Sequence, residues 1–359
     1  MTKIHDDIIF TSMGMFIIDE IHFPKNSGKL SYYNVIGGGG TYGALGSRII
    51  TKSKNSSKIG WIVDKGSDFP VEIEDYINKW DTGVIWRNNF ERLTTRGWNM
   101  YGDRDFREFK YLAPKLRIDV DDLLNYNQLL NSQSFHLICS PQRCHEILKS
   151  LKIARKDFKE NPPVIVWEPV PDVCVPENLQ SCLENLRNVD VLTPNAEEAA
   201  RFFGIEEPSN FKELEELALK FQPYLTKNSK FNTNSAIVLR CGPLGSYTLT
   251  SSGMGKWFPA YHDHINNPNP KVIDPTGGGN TFIGSFTTGF VLSKGNWEVA
   301  SICGNLGAGI AIEQIGMPIF EKIDDDMDLW NGLSLRERFK NYKNWNNLEI
   351  KNEILEIFK

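Results

Sequence analysis

The chain has 359 residues, with 40 Lys and Arg against 45 Asp and Glu, and is 40% apolar and 24% charged. That balance excludes a disordered or fibrous chain, and a formal net charge of −5 argues against nucleic acid as a direct partner, which needs a concentrated basic face. At roughly 150 residues per domain, the length holds about two domains, or one large α/β unit with an added piece. The six cysteines (Cys139, Cys144, Cys174, Cys182, Cys241 and Cys303) form no C-x-x-C pair, and most sit in apolar runs as reduced core thiols do. Residues 1–7 lack the pattern of a secretion signal, and no apolar run approaches the ~18 residues of a membrane span. A cytoplasmic protein with no membrane partner is the expectation.

In chain order, apolar runs at 8–10, 15–18, 60–63, 135–139, 164–167, 189–192 and 236–239 read as short strands. They lack polar alternation, the pattern of strands buried on both faces of a parallel sheet. Amphipathic helices lie between them. One covers Glu197 to Phe203 and stops at Gly204; another starts at Asn210, three residues before Glu213, with Glu216 and Lys220 spaced for an exposed pair. Residues 14–36 and 82–112 are rich in aromatics and β-formers and read as a small β lid, with core loops as the alternative. The predicted division is one α/β domain over 1–325 and a helical C-terminal extension over 326–359, its helices near Leu335–Phe339 and Leu348–Phe358. Asp324 to Asp326 read as a solvated turn.

The segment most informative about chemistry runs from Lys271 to Phe286. A short strand is expected to end at Ile273, followed by Gly277, Gly278 and Gly279 and a helix opening near Asn280. Three glycines at a helix N-terminus let N–H groups converge on an anion at the favourable end of the helix dipole. A flexible turn with Asn280 as an ordinary N-cap is the other reading.

Asp274-Pro-Thr-Gly-Gly-Gly-Asn280 resembles the D-x-x-G-A-G-D signature of the PfkB (ribokinase-like) sugar and nucleoside kinases. Further segments agree in chain order. Asn195 to Glu198 resembles the family's N-x-x-E element, and Gly242 with Gly245 its nucleotide-side G-x-x-G loop. Gly14 and Asp19 resemble the substrate-contacting strand, and Gly37-Gly38 the first glycine pair. Gly304, Asn305 and Gly316 resemble the helix closing the adenine pocket. Gly14–Glu20, Gly37–Gly43, Arg96–Asn99 and Trp167–Pro171 look most like the fungal maintenance-of-killer subgroup, associated with stability of double-stranded RNA virus-like particles.

The resemblance implies a ribokinase-like three-layer α/β/α sandwich with a mostly parallel sheet, and ATP with Mg²⁺ as cofactors. It implies that Gly277, Gly278 and Gly279 hold the migrating phosphate and that the last signature residue is the general base. Asn195, Glu198, Gly242, Gly245 and Asn305 would serve the nucleotide, Glu198 holding Mg²⁺ through water, while Asp19, Gly37, Gly38 and position 42 would line the substrate pocket.

Two positions depart from the pattern. Asn280 stands where the base belongs, and a neutral carboxamide accepts no proton near pH 7; loss of a general base costs about 10²–10⁴-fold in rate. Asp274 remains six residues upstream as a speculative substitute. Tyr42 replaces the usual sugar-binding Asn and would fill part of the pocket. Glu168 lines the mouth of the site or simply ends a strand. His262 and His264 form a possible metal pair on one strand face, and Arg96 with Tyr101 either reaches phosphate from the lid or packs within it. Two function classes follow: a catalytically impaired protein binding a nucleotide or small hydroxylated ligand and acting through protein partners, or an active ATP-dependent kinase for a sugar, nucleoside or related hydroxyl.

Overall fold

The continuous apolar runs fold as parallel strands covered on both sides. A computed structural model of the chain describes residues 8–102, 107–158, 161–226, 230–231, 233–348 and 357–358. Its strands are β1 Phe10–Ser12, β2 Ile17–His22, β3 Tyr32–Gly37, β4 Ile59–Lys65, β5 Gly83–Asn88, β6 Arg96–Tyr101, β7 Arg107–Tyr111 and β8 Ser134–Cys139. Then come β9 Val164–Pro169, β10 Val191–Leu192, β11 Ala236–Arg240, β12 Ser246–Thr250, β13 Gly255–Phe258, β14 Phe320–Lys322, β15 Asp328–Trp330 and β16 Leu333–Ser334.

Among the described residues, nine strands form one sheet of order β13-β12-β11-β10-β9-β8-β1-β4-β5, parallel except for β12 and β13. Successive side chains of a strand face opposite ways. Val164 and Val166 accordingly enter one core with the helices Gly39–Thr51, Gly278–Leu292 and Trp297–Ala311. Ile165 and Trp167 enter the other, with the helices Pro141–Ala154, Leu179–Asn185, Ala196–Phe202 and Phe211–Leu219. The result is a three-layer α/β/α sandwich. Asn210 caps the helix Phe211–Leu219, its Oδ1 accepting from the Glu213 N–H at 3.0 Å; the exposed pair there is Lys212–Glu216, not Glu216–Lys220.

A separate small sheet has the order β3-β2-β6-β7. Only β6 and β7 of the 82–112 stretch join it, because β5 pairs in parallel with β4 at the edge of the large sheet. The strand expected to end at Ile273 is a correction: residues 271–273 are not in a strand, and the N–H groups of Ile273 and Asp274 both bond the Ile312 carbonyl. Residues 320–334 form the meander β14-β15-β16 before the helix Leu335–Trp345, so the segment after 326 is not helical throughout. Trp330, Phe339, Tyr342 and Phe358 are buried in the main core. The second C-terminal helix expected near 348–358 falls mostly outside the described residues. No helix among the described residues is long and apolar enough to cross a membrane.

Candidate functional site

The helices Gly39–Thr51 and Gly278–Leu292 pack backbone to backbone. A Cβ at Gly284 would lie 1.9 Å from the Gly43 carbonyl oxygen, and one at Gly46 would lie 2.2 Å from the Thr281 carbonyl oxygen. This close approach brings both glycine-rich N-termini to the carboxyl ends of the parallel strands, where open α/β sheets bind ligands.

Gly277 is the N-cap of the second helix with φ 78°, a left-handed conformation that favours glycine. Helix begins at Gly278, so Asn280 is its third residue and not its cap. The Gly278 N–H turns to the Pro275 carbonyl at 3.2 Å. Those of Gly279 and Asn280 belong to the first turn, where an α-helix offers them no internal acceptor, the kind of N–H pair that an anion can meet.

Asn280 opens onto a buried charged cluster. Its Nδ2 donates to Glu168 Oε2 at 2.5 Å, and His136 Nε2 lies 3.4 Å from the same oxygen. Arg240, the last residue of β11, places Nη2 at 2.9 Å from Glu168 Oε1, 3.3 Å from Glu198 Oε2 and 3.1 Å from the Thr193 carbonyl. The Arg240 main chain is fixed by its N–H bond to the Pro194 carbonyl at 3.0 Å. Burial pushes the Glu168 carboxyl up, but Arg240, His136 and Asn280 outweigh it and hold the group below its ordinary value. Glu198 goes the other way: burial drives it up to about 7, and Arg240 only partly offsets this. Asn195 and Glu198 also form a reciprocal cap, Glu198 Oε2 accepting from the Asn195 N–H at 2.8 Å and Asn195 Oδ1 from the Glu198 N–H at 2.7 Å.

On the small-sheet side, Asp19 projects from β2 between Gly37 and Gly97, buried, with no hydrogen-bond partner for Oδ1 among the described residues. Burial raises it to about 6, with Asn99 partly offsetting. Gly38, φ 91°, caps the helix Gly39–Thr51. Tyr42 is buried against the glycine turn, since a Cβ at Gly277 would lie 2.2 Å from its ring. Burial first, and then the charges of Asp19 and Asp274, push its phenol well above the usual range. Tyr101 of β6 reaches across to the large domain: its hydroxyl donates to Asp274 Oδ2 at 3.2 Å and pairs with the Thr276 hydroxyl. Beside this contact a cleft of about 470 Å³ is lined by Phe23, Tyr32, Ile273 and Asp274.

The remaining expected residues are placed as follows. Gly242 and Gly245 shape the turn after β11, Gly245 with φ 92° and no room for a Cβ beside the Phe258 carbonyl. Asn305 directs its amide inward, to Ser246 Oγ and the Ser301 carbonyl at 3.1 Å each, tying a helix to the sheet. Arg96 turns away from the site to Asp68 Oδ2 at 2.5 Å, while Tyr101 reaches Asp274 and Asn99 reaches Asp19. His262 and His264 lie in a turn and not on a strand face: His262 is buried against Glu313 at 3.0 Å while His264 is exposed, and no metal-binding group of side chains occurs among the described residues. Arg240 and His136 carried no expectation; a charged residue closing a buried parallel strand was the available signal for Arg240.

The Mg²⁺ expected at Glu198 does not fit these side chains as they stand. Magnesium takes carboxylate oxygens and waters in octahedral array, whereas here one guanidinium is held by both carboxylates.

The doubly covered, mostly parallel sheet with a small separate sheet beside its glycine turn is the ribokinase-like arrangement. The chain belongs to the pfkB family of carbohydrate kinases, whose profile matches residues 101–321. It is 40% identical over 350 residues to Protein MAK32 of Saccharomyces cerevisiae, covering 94% of this chain and 92% of that one. An uncharacterized protein of Schizosaccharomyces pombe is 33% identical over 345 residues, covering 94% and 93%. Solved structures share the ribokinase-like fold. The ribokinase of Giardia lamblia superposes with a TM-score of 0.64 at 16% identity, covering 86% of this chain and 94% of its own. An adenosine kinase of Anopheles gambiae, solved with a diadenosine tetraphosphate, gives 0.65 at 16% identity, covering 87% and 97%.

Proposed function

We propose that this protein binds a nucleoside triphosphate, and a small hydroxylated ligand beside it, with phosphoryl transfer impaired. By likeness to the maintenance-of-killer group it acts through protein partners that stabilise a double-stranded RNA virus-like particle. The glycine turn with its helix dipole supplies the phosphate grip, and Asp19 beside Gly37 supplies a polar anchor for a hydroxyl. One observation carries the impairment. The side chain at the base position is an amide whose N–H donates a hydrogen bond to Glu168, a carboxylate already held by Arg240 and His136. Nothing at position 280 can take a proton from an alcohol.

A thermal-shift titration with Mg-ATP, run beside an ATP-turnover assay, tests this reading. The expected result is a higher unfolding midpoint at millimolar nucleotide, with turnover about 10²–10⁴-fold below the ~1–100 s⁻¹ of working kinases. No shift, or turnover in the ordinary kinase range with any sugar or nucleoside, contradicts it. A second reading, slow transfer to a hydroxyl, is favoured by the ionised Glu168 carboxylate lying within hydrogen-bond distance of Asn280. Glu168→Gln separates the two, abolishing residual turnover only if Glu168 serves as base.

A further inference from the structure

Arg240 lies between two buried carboxylates and the glycine turn. Its Nη2 bonds both Glu168 and Glu198, and its Nη1 lies against the glycine turn, so close that a Cβ at Gly279 would fall 2.2 Å from it. Its Nε is buried without a hydrogen-bond partner among the described residues. Three features follow from this placement. The carboxylate of the N-x-x-E element already has a positive partner and a main-chain N–H donor. A divalent ion set between Glu168 and Glu198 would stand in contact with a like charge. The guanidinium also retains donors beside the N–H groups that an anion would meet, and its planar fork matches phosphate oxygens.

We infer that Arg240 is a built-in counter-cation that replaces the divalent metal of this site, so that the protein engages the phosphate chain of a nucleotide without Mg²⁺. Glu168 and Glu198 orient the guanidinium instead of coordinating metal, and Gly279 is glycine because the guanidinium packs on its Cα. The phosphate half of this inference rests on the nucleotide-binding reading above; the cation half does not.

The test is calorimetric titration of the full chain in two arms. In the first, ATP is titrated in excess EDTA and again in Mg²⁺: the affinities should agree within about threefold, and Arg240→Ala should weaken binding in EDTA by about tenfold or more while making it Mg²⁺-dependent. In the second, Mn²⁺ alone is titrated: the wild-type chain should bind none in the micromolar range, and Arg240→Ala should acquire binding. Because that variant leaves buried carboxylates uncompensated, Arg240→Gln with Glu168→Gln provides a pair-neutral control, expected to lose the EDTA-resistant ATP binding. Arg240→Lys, which keeps the charge but not the fork, should recover part of it. Wild-type ATP affinity falling about tenfold in EDTA, or Mn²⁺ binding to the wild-type chain, overturns the inference. If ATP binds under neither condition, the nucleotide reading fails and the Mn²⁺ arm alone decides the cation assignment.

Discussion

Asn280 and Glu168 are joined by a 2.5 Å hydrogen bond in which the Asn280 amide donates and the Glu168 carboxylate accepts. The two come from opposite sides of the site, the first turn of one helix and the end of β9. The bond explains why an amide suits position 280. An aspartate there would bring a second carboxylate against one that Arg240 holds ionised.

Restoring the family's acid at this position should therefore fail on its own. In Asn280→Asp the two carboxyl groups would share a proton near neutral pH, as close carboxylate pairs do. ATP hydrolysis should rise little. Adding Glu168→Gln removes the competitor and restores a donor, and the double variant should gain about 10²-fold or more. A large gain from Asn280→Asp alone would contradict the coupling.

Tyr42 should act as a plug. Removing its buried ring in Tyr42→Ala should cost about 3–5 kcal/mol, read by chemical denaturation, while opening space beside Asp19. Ribose should then raise the unfolding midpoint of the variant more than that of the wild-type chain. Equal shifts would show that the ring does not restrict the pocket.

Asp19 gives a pH signature whose sign is fixed by burial. Its carboxyl rises from 3.8 to about 6 in the folded chain, so its contribution to stability is fully present below the unfolded value and is lost as pH rises through about 6. Asp19→Asn should flatten that decline and leave the variant more stable at pH 8, by no more than about 2–3 kcal/mol. Urea titrations at pH 5 and 8 measure it. The same variant should bind hydroxylated ligands more weakly, since a neutral amide replaces a charged acceptor.

The C-terminal segment should be indispensable to the fold. Arg338 forks onto Glu313, Nη1 to Oε1 at 2.5 Å and Nη2 to Oε2 at 2.9 Å, with His262 adding a third contact. Burial raises the Glu313 carboxyl, but bonds from His262 and Arg338 override this and bring it down to about 2. Its contribution is thus present above the ordinary value and lost as pH falls through about 2. Arg338→Ala strands a buried carboxylate and should cost about 3–5 kcal/mol. A chain ending at residue 325 also loses Trp330, Phe339 and Tyr342 from the main core, and should not fold cooperatively in a thermal melt.

The layers were legible where burial is symmetrical. Residues 135–139, 164–167 and 236–239 are apolar at every position or nearly so because both faces are covered, and each falls within a strand of the large sheet. Patterning misleads where apolar residues stay at the surface. Val272 and Ile273 look like a strand end, yet both are exposed, on a segment held by the Ile312 carbonyl and by the Lys271 N–H bond to His262 and not by a strand partner among the described residues. Residues 83–88 alternate weakly because β5 is an edge strand, which hid their place in the large sheet. Within the site, the glycine turn could be read from spacing, since it is local, whereas Asn195 and Glu198 were marked by the resemblance and their reciprocal cap by the structure. The Arg240 cluster could not: Glu168, Glu198 and Arg240 are separated by 30 and 42 positions and meet only because β9, β10 and β11 are neighbours.

The most direct measurement is a crystal structure of the wild-type chain with ATP bound in the absence of divalent metal. The expected result is an intact triphosphate, its terminal phosphate on the Gly279 and Asn280 N–H groups and within reach of the Arg240 guanidinium, with the Asn280 amide still on Glu168. A nucleotide seated elsewhere, or a glycine turn without phosphate at saturating ATP, would contradict it.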